Sequence, residues 1–493
     1  MTKKTPVQQL SPGQLVLPLA LCQFIASYAC TNMNVAISDI ARDLNTTVIG
    51  VQTAITLFTL TMAALMIPGS KLTDIWGRKF CFMLGLLVYG AGAIIAAAAP
   101  LLGVLVLGYS LFEGIGSALM IPPIYIIITI AFTDLPTRAR YFGVISGAAG
   151  LGAALGPLIG GLITSAISWR ASFAAQAIVV LAILIMGYRI EVPRKPREER
   201  AAFDIIGTVL SAVGLVLVVI GVLISRTYGW FVSRTDAKIG NTVVIPKGSI
   251  SPVWVFIIAG CLVLGWFYLH ARGWERKEKQ PLLSTRLFHN RTSNLGLVTQ
   301  NMQWLVMQGS FFVVSVFLQE VRGFSAIKTG LVLTASTVGI LLSSVLAERM
   351  AKRRPQRTLV QLGFVVTIIG MVELLLFARA TSSIWTFAPG LFLMGIGIGV
   401  MLTASVNVVQ SAFPEKDQGE ISGLSRSISN LGSSLGTAIA GSVLVSTLTT
   451  GNRLFELALT TITVFAAVGL LAAVLLPRQD VSSPSSSAGA RST

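Results

Sequence analysis

The sequence predicts an all-α protein that crosses a membrane about fourteen times, and three observations predict it. Of its 493 residues 54% are hydrophobic and only 12% charged, about half the charged fraction of a soluble domain. Mean hydropathy is +0.78. The apolar residues fall in runs close to the roughly 20 that a helix needs to cross hydrocarbon, without the alternation of barrel strands. Inside a bilayer every backbone N–H and C=O must be satisfied within the protein, so such runs form helices.

Taken in order, the spans read 14–38, 50–72, 80–99, 101–127, 141–166, 172–190, 204–225, 252–270, 294–318, 327–347, 358–378, 384–409, 419–446 and 455–476. Residues 1–13 form a short, polar N-terminal lead. No small-residue cleavage site follows the first run, so it reads as an anchored helix and not a removed signal peptide. The segment 226–252 is the longest loop on its side, and the turn residues around Thr242–Pro246 fit a small β-hairpin. The loop 271–293 carries dense charge of both signs, as a tether between two halves would. The Ser-rich tail 477–493 is expected to be disordered.

The net charge of +17 does not point to nucleic acid, because the basic residues sit in short loops and form no face interleaved with aromatics. Counted loop by loop, 26 Lys and Arg lie on one side and 10 on the other, with Arg426 inside a span. This bias places both termini in the cytoplasm of a multi-pass plasma (inner) membrane protein, in contact with anionic lipid. Cys22, Cys30, Cys81 and Cys261 lie in apolar segments at no metal-ligand spacing, and His270 and His289 flank one charged loop. No metal, cofactor or disulfide framework is expected. Without a nucleophile–base pair or phosphate loop, neither is an enzyme.

The fifth span carries Gly143, Gly152, Gly156, Pro157, Gly160 and Gly161. Glycines four apart give a helix a flat stripe that another backbone can approach. This spacing resembles the antiporter motif of the major facilitator superfamily. The loop after the second span, Ser70-Lys71-Leu72-Thr73-Asp74-Ile75-Trp76-Gly77-Arg78-Lys79, resembles that superfamily's G-x-L-x-D-R-x-G-R-K signature. Asp74, Gly77, Arg78 and Lys79 are intact, and Ser70 and Ile75 depart. Further phrases recur in order: Asn34-Val35-Ala36; Trp169-Arg170 with Phe173; Phe203-Asp204-Ile205-Ile206-Gly207; Leu318-Gln319 with Gly323 and Gly330; and Gly419, Gly423, Gly432 and Gly436. Together they are similar to the fourteen-span drug:proton antiporter group.

The resemblance implies the major facilitator fold, with two six-helix bundles (14–190 and 294–476) around a cavity. Residues 191–293 would form a linker holding two extra central helices, 204–225 and 252–270. The first and fourth helices of each bundle, here 1, 4, 9 and 12, would line the cavity, and the third and sixth would face lipid. Asp74 and Arg78 would latch the bundles on the cytoplasmic side, the carboxylate near the start of helix 13. An anion there gains about 0.3–1 kcal/mol, the scale of a latch that must also open.

The intramembrane polar residues also speak without the family. Helix 1 carries Gln23, Ser27, Thr31, Asn34 and Ser38; helix 4 carries Ser110, Glu113 and Ser117. Helix 9 carries Gln300 and Gln303 on one face, with Asn301, Trp304 and Gln308 on the next; helix 12 carries Thr403, Asn407 and Gln410. Such stripes turn inward, either to hydrogen-bond another helix or to line a wet cavity. Their presence on all four implied lining helices favours the cavity. Glu113, Asn34, Thr31, Ser110, Gln303 and Asn407 are therefore the proton and substrate candidates. A charged carboxylate in mid-membrane costs about 2.5–3.5 kcal/mol on insertion scales, so Glu113 is expected to be neutral, paired or wet. Glu373 reads as structural or lipid-facing, Glu320 as solvated at the outer end of helix 9, and Glu420 and Arg426 as gate contacts.

Two residues depart from the group. Its acid in helix 1 is replaced by Ala29, and its Arg in helix 4 by Ser110. Export of amphipathic or hydrophobic compounds, drug-like or lipid-like, by a monomer working through alternating access is the leading expectation, with protons as the exchanged ion. An uncoupled facilitator, or a lipid or envelope-precursor transporter, is the second. A non-transporting scaffold or sensor is the remote third.

Overall fold

The computed structural model describes residues 11–132, 134–190, 203–239, 242–351, 354–413, 417–446 and 452–477. Most of the N-terminal lead, the tail beyond residue 477, and Arg194, Lys195, Arg197, Arg200 and Lys416 lie outside them.

Fourteen long helices follow in chain order. The first six are α1 (Pro12–Asn32, continued by a 3-10 turn to Val35), α2 (Val48–Trp76), α3 (Arg78–Ala97), α4 (Leu102–Ala131), α5 (Leu135–Ala166) and α6 (Trp169–Tyr188). Next come α7 (Ile205–Tyr228) and α8 (Pro252–Glu275), then α9 (Arg291–Val321), α10 (Ala326–Ala351), α11 (Gln356–Phe377), α12 (Ala388–Gln410), α13 (Gln418–Ser446) and α14 (Asn452–Leu475). The expected hairpin is present as β1 (Ala237–Ile239) antiparallel to β2 (Thr242–Ile245).

Helix starts follow local chemistry. Ser11 and Gln14 form a reciprocal capping box on α1 behind Pro12. The side chains of Thr47, Asp134, Ser168, Asp204, Ser251 and Asn290 each accept from an otherwise orphaned N–H in the first turn. Between α2 and α3 the chain turns on Gly77 at φ 102° and ψ 144°, a conformation that costs a side chain about 1–3 kcal/mol.

Among the described residues, thirteen helices are long and apolar enough to cross a membrane. The remaining long helix, α13, has 29 residues but is too polar to meet lipid. It has no need to, because its hydroxyls and backbone are taken up on two sides. Towards α9, Gln300 bonds Ser425 and Ser429 (2.9 and 2.8 Å), and Asn301 donates to the Ile428 carbonyl. Towards α2, Ser434 donates to the Thr56 carbonyl, Ser427 to that of Ala63, and Gln52 to that of Thr437.

The fold is the major facilitator arrangement of two six-helix bundles. In the first, α1 packs on α5 and α3 on α4 and α6; in the second, α9 packs on α13 and α14, and α12 on α10 and α11. Two seams join the bundles, α2 against α13 and α5 against α10. The extra helices α7 and α8 pack on one another, and α7 also covers the α2–α13 seam. They lie beside the bundles in space, although they fall between them in sequence. Exposed apolar side chains recur at helical spacing on the third and sixth helix of each bundle: Leu87 and Ile94, Ile178 and Leu181, Ile369 and Leu376, Val464 and Leu471. These are lipid-facing surfaces.

Candidate functional site

The face at which α1 begins is called proximal here, and the opposite face distal. At the distal face the bundles are held together by hydrogen bonds between α9 and the end of α1, and across the α5–α10 seam. Gln308 donates to the Cys30 carbonyl (2.5 Å) and Gln319 to that of Asn34 (3.0 Å). The Ser38 N–H donates to Gln319 Oε1 (3.2 Å), and the Ser38 hydroxyl to Glu320 (2.5 Å). Glu320 is thus exposed, as the sequence implies, and also bonded across the bundles. On the α5–α10 seam the Ile327 N–H donates to Ser165 and Thr337 to the Ala154 carbonyl.

The glycines of α5 permit this closeness. A Cβ at Gly152 would overlie the Phe24 carbonyl, and one at Gly156 would collide with Thr31 Oγ1. At Gly160 it would lie 2.9 Å from Asn32 Cβ, and at Gly161 2.6 Å from the Ala326 oxygen on α10. Gly330 on α10 meets the Pro157 carbonyl in the same way, at 2.5 Å. Nearer the proximal end, Gly143 and Gly147 of α5 have open space around them. The helix is therefore clamped at its distal half and free at its proximal half.

That freedom opens a cavity of about 530 Å³ in the proximal half. Its walls come from α2 (Met66, Ser70, Asp74), α4 (Ile121 to Ile130), α5 (Arg138, Phe142) and α13 (Gly419 to Arg426), with Arg78 of α3 and Gln410 of α12. The expectation that helices 1, 4, 9 and 12 line it holds for α4 and for one residue of α12. It fails for α1 and α9, whose mutual contacts belong to the distal seal. Of the candidates Glu113, Asn34, Thr31, Ser110, Gln303 and Asn407, none is among the lining residues.

About half of the stripe residues take the other inward option and bond within the protein. Ser110 donates to the Ala54 carbonyl (2.7 Å), Ser405 to Gln303 Oε1 (2.6 Å), and Thr31 to backbone oxygens in its own helix. Asn34 is fully buried with neither side-chain polar atom bonded, and Asn407 is half-buried. Glu113 ends a π-helical stretch (Val106–Glu113). It is fully buried, and its polar neighbour is the Tyr89 hydroxyl, which itself donates to Gln176 (2.7 Å). It interacts electrostatically with Tyr28, Cys30, Tyr89 and Tyr109, inside the first bundle. Tyr109, one of these neighbours, donates to the Ala29 carbonyl (2.8 Å), and Ser110 lies three residues before Glu113 in the same π-helical stretch.

The signature loop divides its labour. Asp74 and Arg78 face the cavity and interact with each other. Lys79 ties α3 to the end of α6, donating to the Tyr188 carbonyl at 2.7 Å. Across the α2–α13 seam, Ser70 donates to the Gly419 carbonyl (3.3 Å) and Lys71 pairs with Glu420 (3.7 Å). Over this seam runs the tether between the halves. Leu282, Leu283 and Leu287 are buried in a cluster with Ile67, Phe267, Leu297, Val409, Ile421 and Leu424. Asp204 fixes the tether, accepting from the N–H groups of Gly207 and Leu282 and meeting His270 Nε2 at 2.9 Å. Glu420 accepts from the Ser284 N–H (3.1 Å). His270 is thus an anchor of the tether, although its sequence position reads only as a polar loop end. The signal was its apolar surroundings at the end of α8, opposite an acid that caps α7.

A family model described as Major Facilitator Superfamily matches residues 19–290 and 296–492. The chain is similar to the puromycin resistance protein pur8 of Streptomyces alboniger, at 28% identity over 433 residues, covering 87% of this chain and 81% of that protein. It is also similar to the multidrug resistance protein Stp of Mycobacterium tuberculosis, at 26% identity over 415 residues, covering 84% and 72%. Among solved structures it resembles the human organic anion transporter MFSD10 (TETRAN), with a TM-score of 0.59 and 14% identity over 94% of this chain and all of that one. In sequence and in fold, this chain belongs to the Major Facilitator Superfamily.

Proposed function

We propose that this protein exports amphipathic or hydrophobic small molecules, drug-like in size, by alternating access, and exchanges them for protons. The observation that carries the reading is the asymmetry between the faces. The distal face is bridged by hydrogen bonds between α1 and α9 and holds a cavity of only about 280 Å³, while the proximal half holds one of about 530 Å³, within the range of small-molecule sites. The similarity to puromycin and multidrug resistance proteins supports a drug-like substrate. The Lys and Arg bias supports assigning the proximal face to the cytoplasm of the plasma membrane. Residues 14–190 and 294–476 would then be the moving bundles, and 191–293 the linker that carries α7 and α8.

Glu113 is the proton carrier in this reading. A buried acid outside the cavity lining, set among tyrosine hydroxyls, can change protonation without touching substrate. The Asp74 and Arg78 turn and the Lys71–Glu420 pair form the proximal gate. Substrate flux in proteoliposomes, with and without a pH gradient, tests coupling. Export that accelerates with the gradient is expected. Equal flux in both conditions would replace antiport by uncoupled facilitation, the reading that Ala29 and Ser110 favour.

A further inference from the structure

The geometry points to an amphipathic anion as the preferred occupant of the proximal cavity, its acidic head held by Arg426 and Tyr125. This inference rests on the cavity being the substrate site and names the substrate's charge.

Arg426 sits about two turns into α13, about 12 Å along its axis from Gln418 at 1.5 Å per residue, level with Tyr125 of the spanning helix α4. Its guanidinium is hydrogen-bonded to the Tyr125 hydroxyl and lies 5.3 Å from that ring's centre. Both partners are neutral, and among the described residues no carboxylate pairs with it. An arginine at such depth is costly unless it meets an anion, a cavity or water, and this one faces the cavity.

The rest of the lining has the same sign. Three guanidiniums, Arg78, Arg138 and Arg426, stand against one carboxylate, Asp74. Asp74 stands at the Arg78 end of the cavity, so the excess of the lining is positive whichever guanidinium it serves, and Arg426 lies deeper in. Between them the walls are apolar: Met66, Ile121, Pro122, Ile126 and Phe142. A planar guanidinium offers a carboxylate, phosphate or sulfonate two parallel donors, and the apolar wall receives the body of the same molecule. A cation would meet like charge in a low-dielectric pocket, where repulsion is strong.

Head-group preference tests this directly. The full-length protein in phosphatidylcholine nanodiscs would be titrated with three probes that share one body: 11-(dansylamino)undecanoate, its methyl ester, and the matching trimethylammonium compound. The expected order is anion, ester, cation, with the anion favoured over the ester by about tenfold, the equivalent of about 1.4 kcal/mol. Arg426→Gln should bring the anion-to-ester ratio close to one, and Arg426→Lys, which keeps the charge, should retain much of it. Should Arg426→Gln fail to fold, the wild-type ladder and the Lys variant still decide. Repeating the titration in nanodiscs containing phosphatidylglycerol separates two sources of the same chemistry. Displacement of the probe assigns the site to an anionic lipid, and undiminished binding assigns it to a soluble acid. Saturable binding with no preference for the anion, or with the cation tightest, would overturn this inference alone. Absence of saturable binding by all three probes would overturn the cavity reading as well.

Discussion

The side-chain amide of Gln319 on α9 donates to the backbone oxygen of Asn34 at the end of α1, 3.0 Å away. Its Oε1 accepts from the N–H of Ser38. One side chain thus closes the distal face with two bonds to the opposite bundle. Gln319→Ala removes both, each worth about 0.5–1.5 kcal/mol. A loss of one or two kcal/mol shifts a two-state ratio by about 5–30-fold. In a background without native cysteines, labelling of Asn34→Cys by an impermeant maleimide from the distal side should rise within that range. Unchanged labelling would show that Gln319 does not hold the seal.

Glu113→Gln keeps the volume of the buried carboxyl and removes its proton. Gradient-driven export should fall to the rate seen without a gradient, while substrate exchange at zero gradient persists. Loss of both activities would assign Glu113 to folding or binding.

At α5, Gly156→Val places a branched side chain where Thr31 and the Asn32 backbone already stand. Overpacking of this kind costs about 1–3 kcal/mol, and the thermal midpoint of the purified protein should drop accordingly. The same change at Gly143, which has open space, should cost far less. Equal losses at the two positions would contradict the packing described here.

Asp204 gathers Gly207, Leu282 and His270 around one carboxylate. Asp204→Ala should free the tether, seen as faster amide exchange across Leu282–Leu287. Removing the helix cap alone costs about 0.5–2 kcal/mol. Exchange confined to the start of α7 would mean that the tether is held by its leucines only.

On the distal surface the Arg170 guanidinium hydrogen-bonds Asp43 and, with help from the Trp169 indole (3.0 Å), holds its carboxyl below the usual range. A lowered folded-state pKa gives stability that is present above the unfolded value of about 3.9 and lost as pH falls through the folded one. The difference in thermal midpoint between wild type and Asp43→Asn should therefore be positive at pH 6 and shrink below about pH 4. A difference independent of pH would contradict this assignment.

The helices and their lipid faces were legible because hydrocarbon imposes length and apolarity on each span separately. The glycines of α5 were legible for a similar reason, since close backbone approach admits no side chain at those positions. The cavity lining was not. A polar residue on an inward face can bond a neighbouring helix or face water, and tertiary packing decides which. Gln303 meets Ser405, and Ser110 meets Ala54, through contacts far apart in the chain. Arg426 reads as a gate residue in isolation, because the tyrosine that receives it stands on α4. The helix α13 was read as the span 419–446, but what takes up its serines and backbone, Gln300, Gln52 and their partners, was not legible, for the same reason.

Electron–electron distance measurements on two spin-labelled pairs test the central claim most directly. One pair spans α5 and α10 at the distal face (Ile167 and Lys328), the other at the proximal face (Arg140 and Arg354). With proton gradient or substrate varied, the distal distance should lengthen in the population whose proximal distance shortens. One unchanging distance at each face under every condition would contradict alternating access.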